Sequence, residues 1–126
     1  MRIEGEVFTG LGEGTDYIGM EPYQDKIKII TGFYPFEGTL NLRVDAGELE
    51  RLRKENEPEV IESFRFKGRE CSRVEVYPVE IEGVKAAYLD IAVTDHCDDV
   101  MEIVAEQYLR DELGLEDGDT VEVTPK

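Results

Sequence analysis

The chain has 126 residues, 40% of them hydrophobic, which suffices for a single domain over 1–126 and is too little for two separate cores. Thirty acids against fourteen bases give a formal net charge of −16, a surface that repels nucleic acid and anionic membranes. The opening Met1-Arg2-Ile3-Glu4-Gly5-Glu6 holds no apolar signal region, and no run reaches membrane-span length, so a cytoplasmic protein is the expectation.

Residues 2–9 alternate, with Ile3, Gly5 and Val7 opposed to Arg2, Glu4, Glu6 and Phe8, and read as a strand. A glycine loop follows. Pro22 opens a short helix with Tyr23, Ile27 and Ile30 at helical spacing, and Gly32 is positioned to cap it. An aromatic turn, Phe33-Tyr34-Pro35-Phe36-Glu37-Gly38, leads into a strand over 39–44 with Leu40, Leu42 and Val44 on one face. Residues 46–55 form a charged surface helix stopped by Pro58. Strands are expected over 60–66, 69–81 and 84–93, divided by Lys67-Gly68 and Glu82-Gly83; Pro78 bends or interrupts the second or puts it at an edge. Met101, Val104, Tyr108, Leu109 and Leu113 predict a helix over 100–113, started by an Asp99/Glu102 capping box and stopped by Gly114. Asp117-Gly118-Asp119 is a turn before a last strand over 120–124. About six strands in so short a chain indicate a small, mostly-β barrel.

Two segments carry the chemistry. Gly10-Leu11-Gly12-Glu13-Gly14 sets three glycines at alternate positions after a strand, where backbone N–H groups can form an anion-binding nest; a plain inter-strand loop has the same spacing. Thr39 and Asn41 share a face of the next strand, opposite Leu40 and Leu42. Both supply oxygens that suit Mg²⁺, an ion that keeps waters and takes substrate phosphates; the alternative is a polar strand face bonded to a neighbouring loop. Neutral ligands hold bare Mg²⁺ weakly, so the metal would arrive with a nucleotide.

Further along, Thr94 and Glu102 could bind a polyol or a heterocycle edge, although capping and the helix dipole also account for Glu102. Arg110, after Gln107-Tyr108-Leu109, could stack on a base or pair with phosphate, or form surface ion pairs with Glu106 or Asp111. His96, the only histidine, has no spaced metal partner. Cys71 and Cys97 form no C-x-x-C pair and read as reduced thiols. The acid excess, with only six lysines, also fits a cytoplasm of high ionic strength.

These residues together resemble the archaeal CTP-dependent riboflavin kinases. The matching stretches are Gly5-Glu6-Val7 running into Gly10 to Gly14, then Gly32-Phe33-Tyr34-Pro35-Phe36-Glu37-Gly38-Thr39-Leu40-Asn41, then Thr94-Asp95-His96, Glu102-Ile103-Val104-Ala105, and Leu109-Arg110 through Asp117-Gly118-Asp119. The resemblance implies a six-stranded cradle-loop barrel of the RIFT type, transfer of the γ-phosphoryl of CTP to the 5′-hydroxyl of riboflavin, and release of FMN and CDP. By position, Gly10, Leu11, Gly12, Glu13, Gly14 and Thr15, with Gln107, Tyr108, Leu109 and Arg110, would bind the nucleotide. Thr39 and Asn41 would hold Mg²⁺. Thr94 and Glu102 would contact the flavin, and Glu102 would also accept the hydroxyl proton. A monomer is the expectation, and the −16 charge argues against nucleic acid and membrane as partners. The family usually has a basic residue just before the threonine at 94 and near position 15; this chain has Val93, Thr15 and Asp16. Those departures leave room for a non-catalytic barrel that senses flavin or nucleotide. A DNA-binding barrel of related shape is opposed by the charge.

Overall fold

The computed structural model describes residues 1–9, 19, 21–91 and 98–126. Its elements run β1 (Ile3–Phe8), α1 (Glu21–Thr31), β2 (Leu40–Arg43), α2 (Ala46–Glu55), β3 (Glu59–Ile61), β4 (Phe64–Phe66), β5 (Arg69–Cys71), β6 (Val74–Ile81), β7 (Val84–Ile91), β8 (Val100–Ala105), α3 (Leu109–Leu113) and β9 (Thr120–Pro125). The strands order as β3-β6-β7-β8-β2-β1-β9, and β9 pairs again with β6. That second pairing closes β6, β7, β8, β2, β1 and β9 into an antiparallel six-stranded barrel, with β3 added outside the ring and β4–β5 as a separate hairpin. Closure removes the unpaired edges that an open sheet of this size would expose.

Alternation decides which side chains fill the barrel. Ile3 and Val7 of β1, Leu40 and Leu42 of β2, Tyr88 of β7, Met101 and Ile103 of β8, and Val121 and Val123 of β9 form one buried cluster, joined by Leu49 and Leu52 of α2. Gly5 lies between Ile3 and Val7 on that inner face. A Cβ there would come within 3.0 Å of the Leu42 Cβ and 3.1 Å of Val44 Cγ1, so glycine lets β1 and β2 close on each other. A second cluster covers the outside of β6–β8: Val74, Val76, Ala87, Leu89, Ile91 and Val104 pack under Tyr23 and Ile27 of α1 and under Ile61 and Cys71. The two-residue turns Lys67-Gly68 and Glu82-Gly83 have positive φ at both positions (51° and 76°, 49° and 80°), the backbone that joins tight hairpins.

Three sequence expectations need correction. The run 60–66 breaks into β3 and β4, and 69–81 into β5 and β6. Pro78 sits within β6 opposite Ala87, on a strand that bonds β7 and β9 on its two sides. The helix over 100–113 is the largest error: Val100–Ala105 is a strand, and only Leu109–Leu113 is helical. All six β8 residues are buried. Alternation is therefore hidden, and apolar residues three and four apart mimic a helical stripe. The Asp99/Glu102 capping box does not exist. The stop at Gly114 does, with φ of 62°.

Candidate functional site

Strand register gathers the polar candidates into one lateral row on the outer barrel face. Phe8 pairs with Asn41. Asn41 pairs with Glu102, Glu102 with Leu89, and Leu89 with Val76. Two polar side chains thus stand directly opposite each other in an otherwise apolar row, and both are buried: Asn41 is 8% exposed and Glu102 3%. Directly opposed side chains across an antiparallel pair have Cβ atoms about 5 Å apart, so the carboxamide and carboxylate are immediate neighbours. The Asn41 Oδ1 has no hydrogen-bond partner among the described residues. A buried acceptor left open in this way costs free energy, and such exceptions require an explanation.

A crevice is lined by Leu40 and Ile103 of the inner cluster together with Phe36, Thr39, Gln107, Tyr108 and Arg110, among others. The Phe36 N–H donates to the Ala105 carbonyl at 2.8 Å, tying the aromatic turn to the end of β8. The Phe36 and Tyr108 rings stack with centroids 4.9 Å apart. Both remain substantially exposed, at 42% and 43%. Thr39, two residues before Asn41 and just outside β2, is half-buried at the crevice wall. Thr39 and the 107–110 segment therefore meet in one place, although nearly seventy residues separate them.

Arg110 departs from expectation. Its partner is not Glu106 or Asp111. Its Nη2 donates to Asp117 Oδ1 at 2.8 Å and to the Phe8 carbonyl at 3.3 Å. The Thr9 hydroxyl donates to Asp117 Oδ2 at 2.8 Å. The Arg110 guanidinium and then the Thr9 hydroxyl hold the Asp117 carboxyl below the usual carboxylate range. Sequence reasoning did not single out Asp117 or Thr9. The Asp117-Gly118-Asp119 turn was the only signal, and it says nothing about what the turn is docked against.

Glu102, which the sequence places at a helix start, is a mid-strand residue of β8 facing Asn41. The glycine loop from Gly10 to Gly14, Thr15, Val93, Thr94, His96 and Cys97 lie outside the described residues. Among the described residues no group of three or more His, Cys, Asp or Glu side chains could hold a metal, and no helix is long and apolar enough to cross a membrane.

Known proteins can be set against this geometry. The family model CTP-dep_RFKase, described as a domain of unknown function (DUF120), matches residues 7–124. The riboflavin kinase of Archaeoglobus fulgidus is 37% identical over 125 residues, covering 98% of this chain and 54% of that protein. That of Pyrobaculum aerophilum is 42% identical over 125 residues, covering 98% and 60%. That of Saccharolobus solfataricus is 37% identical over 127 residues, covering 98% and 73%. The chain thus spans about half the length of the first of these relatives. A match of this extent settles the family: the chain belongs to the CTP-dependent riboflavin kinase family.

Proposed function

We propose that the protein transfers the γ-phosphoryl group of CTP to the 5′-hydroxyl of riboflavin, giving FMN and CDP. The observation that carries this reading is the buried Asn41–Glu102 pair on β2 and β8, strands whose Leu40 and Ile103 also line the crevice of Thr39 and Gln107–Arg110. Phosphoryl transfer asks little covalent chemistry of a protein; it needs the two substrates aligned and the phosphate charge offset.

The residues fit a magnesium site. Asn41 has a buried oxygen without a partner among the described residues, Thr39 offers a hydroxyl two residues before it, and neutral oxygens are what a hydrated Mg²⁺ delivered on phosphates takes up. Thr39 and Asn41 would hold the ion, which when bound offsets the charge on the β- and γ-phosphates. Glu102, buried beside Asn41, would bind a flavin hydroxyl and accept its proton as the phosphoryl group arrives. Arg110 and the stacked Phe36 and Tyr108 would line the nucleotide, supplying cation and aromatic surface in a chain whose overall charge repels it. Thr94 and the segment from Gly10 to Thr15 are assigned to flavin and phosphates by family position.

The test is direct. Purified protein is incubated with riboflavin, Mg²⁺ and either CTP or ATP, and FMN is followed by chromatography. Formation of FMN with CTP, and much less with ATP, supports the reading. Binding of riboflavin or CTP with no FMN under any nucleotide would replace the kinase with a sensor.

A further inference from the structure

We infer that Asp117 is a positioning residue for the nucleotide: its carboxylate fixes Arg110 in the crevice wall so that the remaining guanidinium N–H groups meet phosphate. The inference rests on the kinase reading and extends it to residues outside the proposed ligand shell.

Three observations carry it. First, the Asp117 carboxylate is bridged on both oxygens, Oδ1 by Arg110 Nη2 at 2.8 Å and Oδ2 by the Thr9 hydroxyl at 2.8 Å. The same Nη2 reaches the Phe8 carbonyl at 3.3 Å. One edge of the guanidinium is thereby pinned between the end of β1 and the turn before β9. Second, a guanidinium has five N–H donors, and among the described residues Nε and Nη1 make no hydrogen bond. Arg110 is also one of the residues that line the crevice. Third, the Asp117 turn does not depend on its side chain for its place. Gly118 N–H donates to the Val7 carbonyl at 2.8 Å, Val7 N–H donates to the Asp119 carbonyl at 2.8 Å, and the Glu116 N–H is accepted by Asp119 Oδ2 at 2.8 Å. Backbone bonds and Asp119 hold the turn against β1; the Asp117 carboxylate is left to hold Arg110. An exposed ion pair adds little stability, whereas pre-orienting a cation removes an ordering cost from ligand binding.

The experiment uses the full chain and isothermal titration with Mg·CTP and, separately, with riboflavin. Variants are Asp117→Ala, Asp117→Asn, Arg110→Ala and the Asp117→Ala/Arg110→Ala double variant, each checked by thermal melting. Asp117→Ala should weaken CTP binding by about tenfold, riboflavin binding should hold, and the melting temperature should stay close to that of the wild type. Arg110→Ala should weaken CTP binding at least as much, and the double variant should bind no worse than Arg110→Ala alone, because Asp117 acts through Arg110. Asp117→Asn, which keeps one acceptor, should fall between wild type and Asp117→Ala. Normal CTP affinity in Asp117→Ala, or full additivity in the double variant, overturns the inference while leaving the kinase reading intact. Wild-type protein that makes no FMN and binds no CTP overturns the kinase reading, and this inference with it.

Discussion

Two polar clusters share strand β7 and its neighbours, and they are resolved in opposite ways. At the α2 end, Arg53 donates to the Tyr88 hydroxyl from Nη2 at 2.6 Å and from Nε at 3.2 Å. Tyr88 stacks on Tyr77 with centroids 5.4 Å apart. The Tyr77 hydroxyl donates to Glu75 Oε2 at 3.2 Å, Arg73 bonds Glu75 at 2.7 Å, and Asp90 lies 3.6 Å from Arg53. Side chains from β6, β7 and α2 thus answer one another. On the outer face of β7, β8 and β2, by contrast, Asn41 keeps a buried oxygen that no described residue answers. A closed polar network stiffens a fold. An open one costs stability and is kept where a ligand completes it. On the proposed function, the first cluster serves structure and the second serves the reaction.

The sharpest way to break the contrast is to make Asn41 apolar. Asn41→Leu should lower kcat/KM for FMN formation by on the order of a hundredfold, about 2.7 kcal/mol of transition-state stabilisation. The same change should leave the melting temperature unchanged or raise it, since an unanswered buried acceptor is removed. Glu102→Gln comes next: a general base predicts a fall in kcat of about a hundredfold with riboflavin KM little altered, whereas a pure binder predicts the reverse, and steady-state kinetics separate the two.

On the structural side the expected effects are smaller and fall on stability. Tyr88→Phe removes the acceptor of Arg53 and should destabilise by about 1 kcal/mol in denaturant titration, with FMN formation unchanged. Alkaline pH probes the same cluster. Burial, and then the Glu75 carboxylate, push Tyr77 up to about 12, and burial with Asp90 raises Tyr88 further, against the opposing pull of Arg53. Both tyrosines ionise more readily once unfolded. Their contribution is therefore complete below the ordinary tyrosine value near 10 and is lost as pH rises through the folded values, visible as a melting temperature that falls above about pH 10. Asp117 has the opposite sign. Its lowered carboxyl contributes above the ordinary aspartate value and that contribution is lost as pH falls through the folded one, a small effect because the group is exposed.

Much of this was legible in the chain. Alternation alone set Leu40 and Leu42 on the core face and Asn41 on the other, and Lys67-Gly68 and Glu82-Gly83 marked the two turns. What misled was β8. Val100, Ile103 and Val104 are β-branched and favour a strand, yet burial on both faces erased the alternation that would have announced it. Glu102 was thus picked out for the wrong local reason. Its neighbour, Asn41, is set by inter-strand register, which no local pattern encodes. The Asp117 bridge was further out of reach: Thr9 and Asp117 are 108 positions apart and meet only because β9 closes on β1.

The central claim is that the open row at Asn41 and Glu102 is where phosphoryl transfer takes place. The most direct test runs wild type and Asn41→Leu side by side with riboflavin, Mg²⁺ and CTP, reading FMN by chromatography and folding by melting temperature. The account predicts FMN from the wild type and almost none from a variant that melts at the same temperature or higher. Equal FMN from both proteins would contradict it.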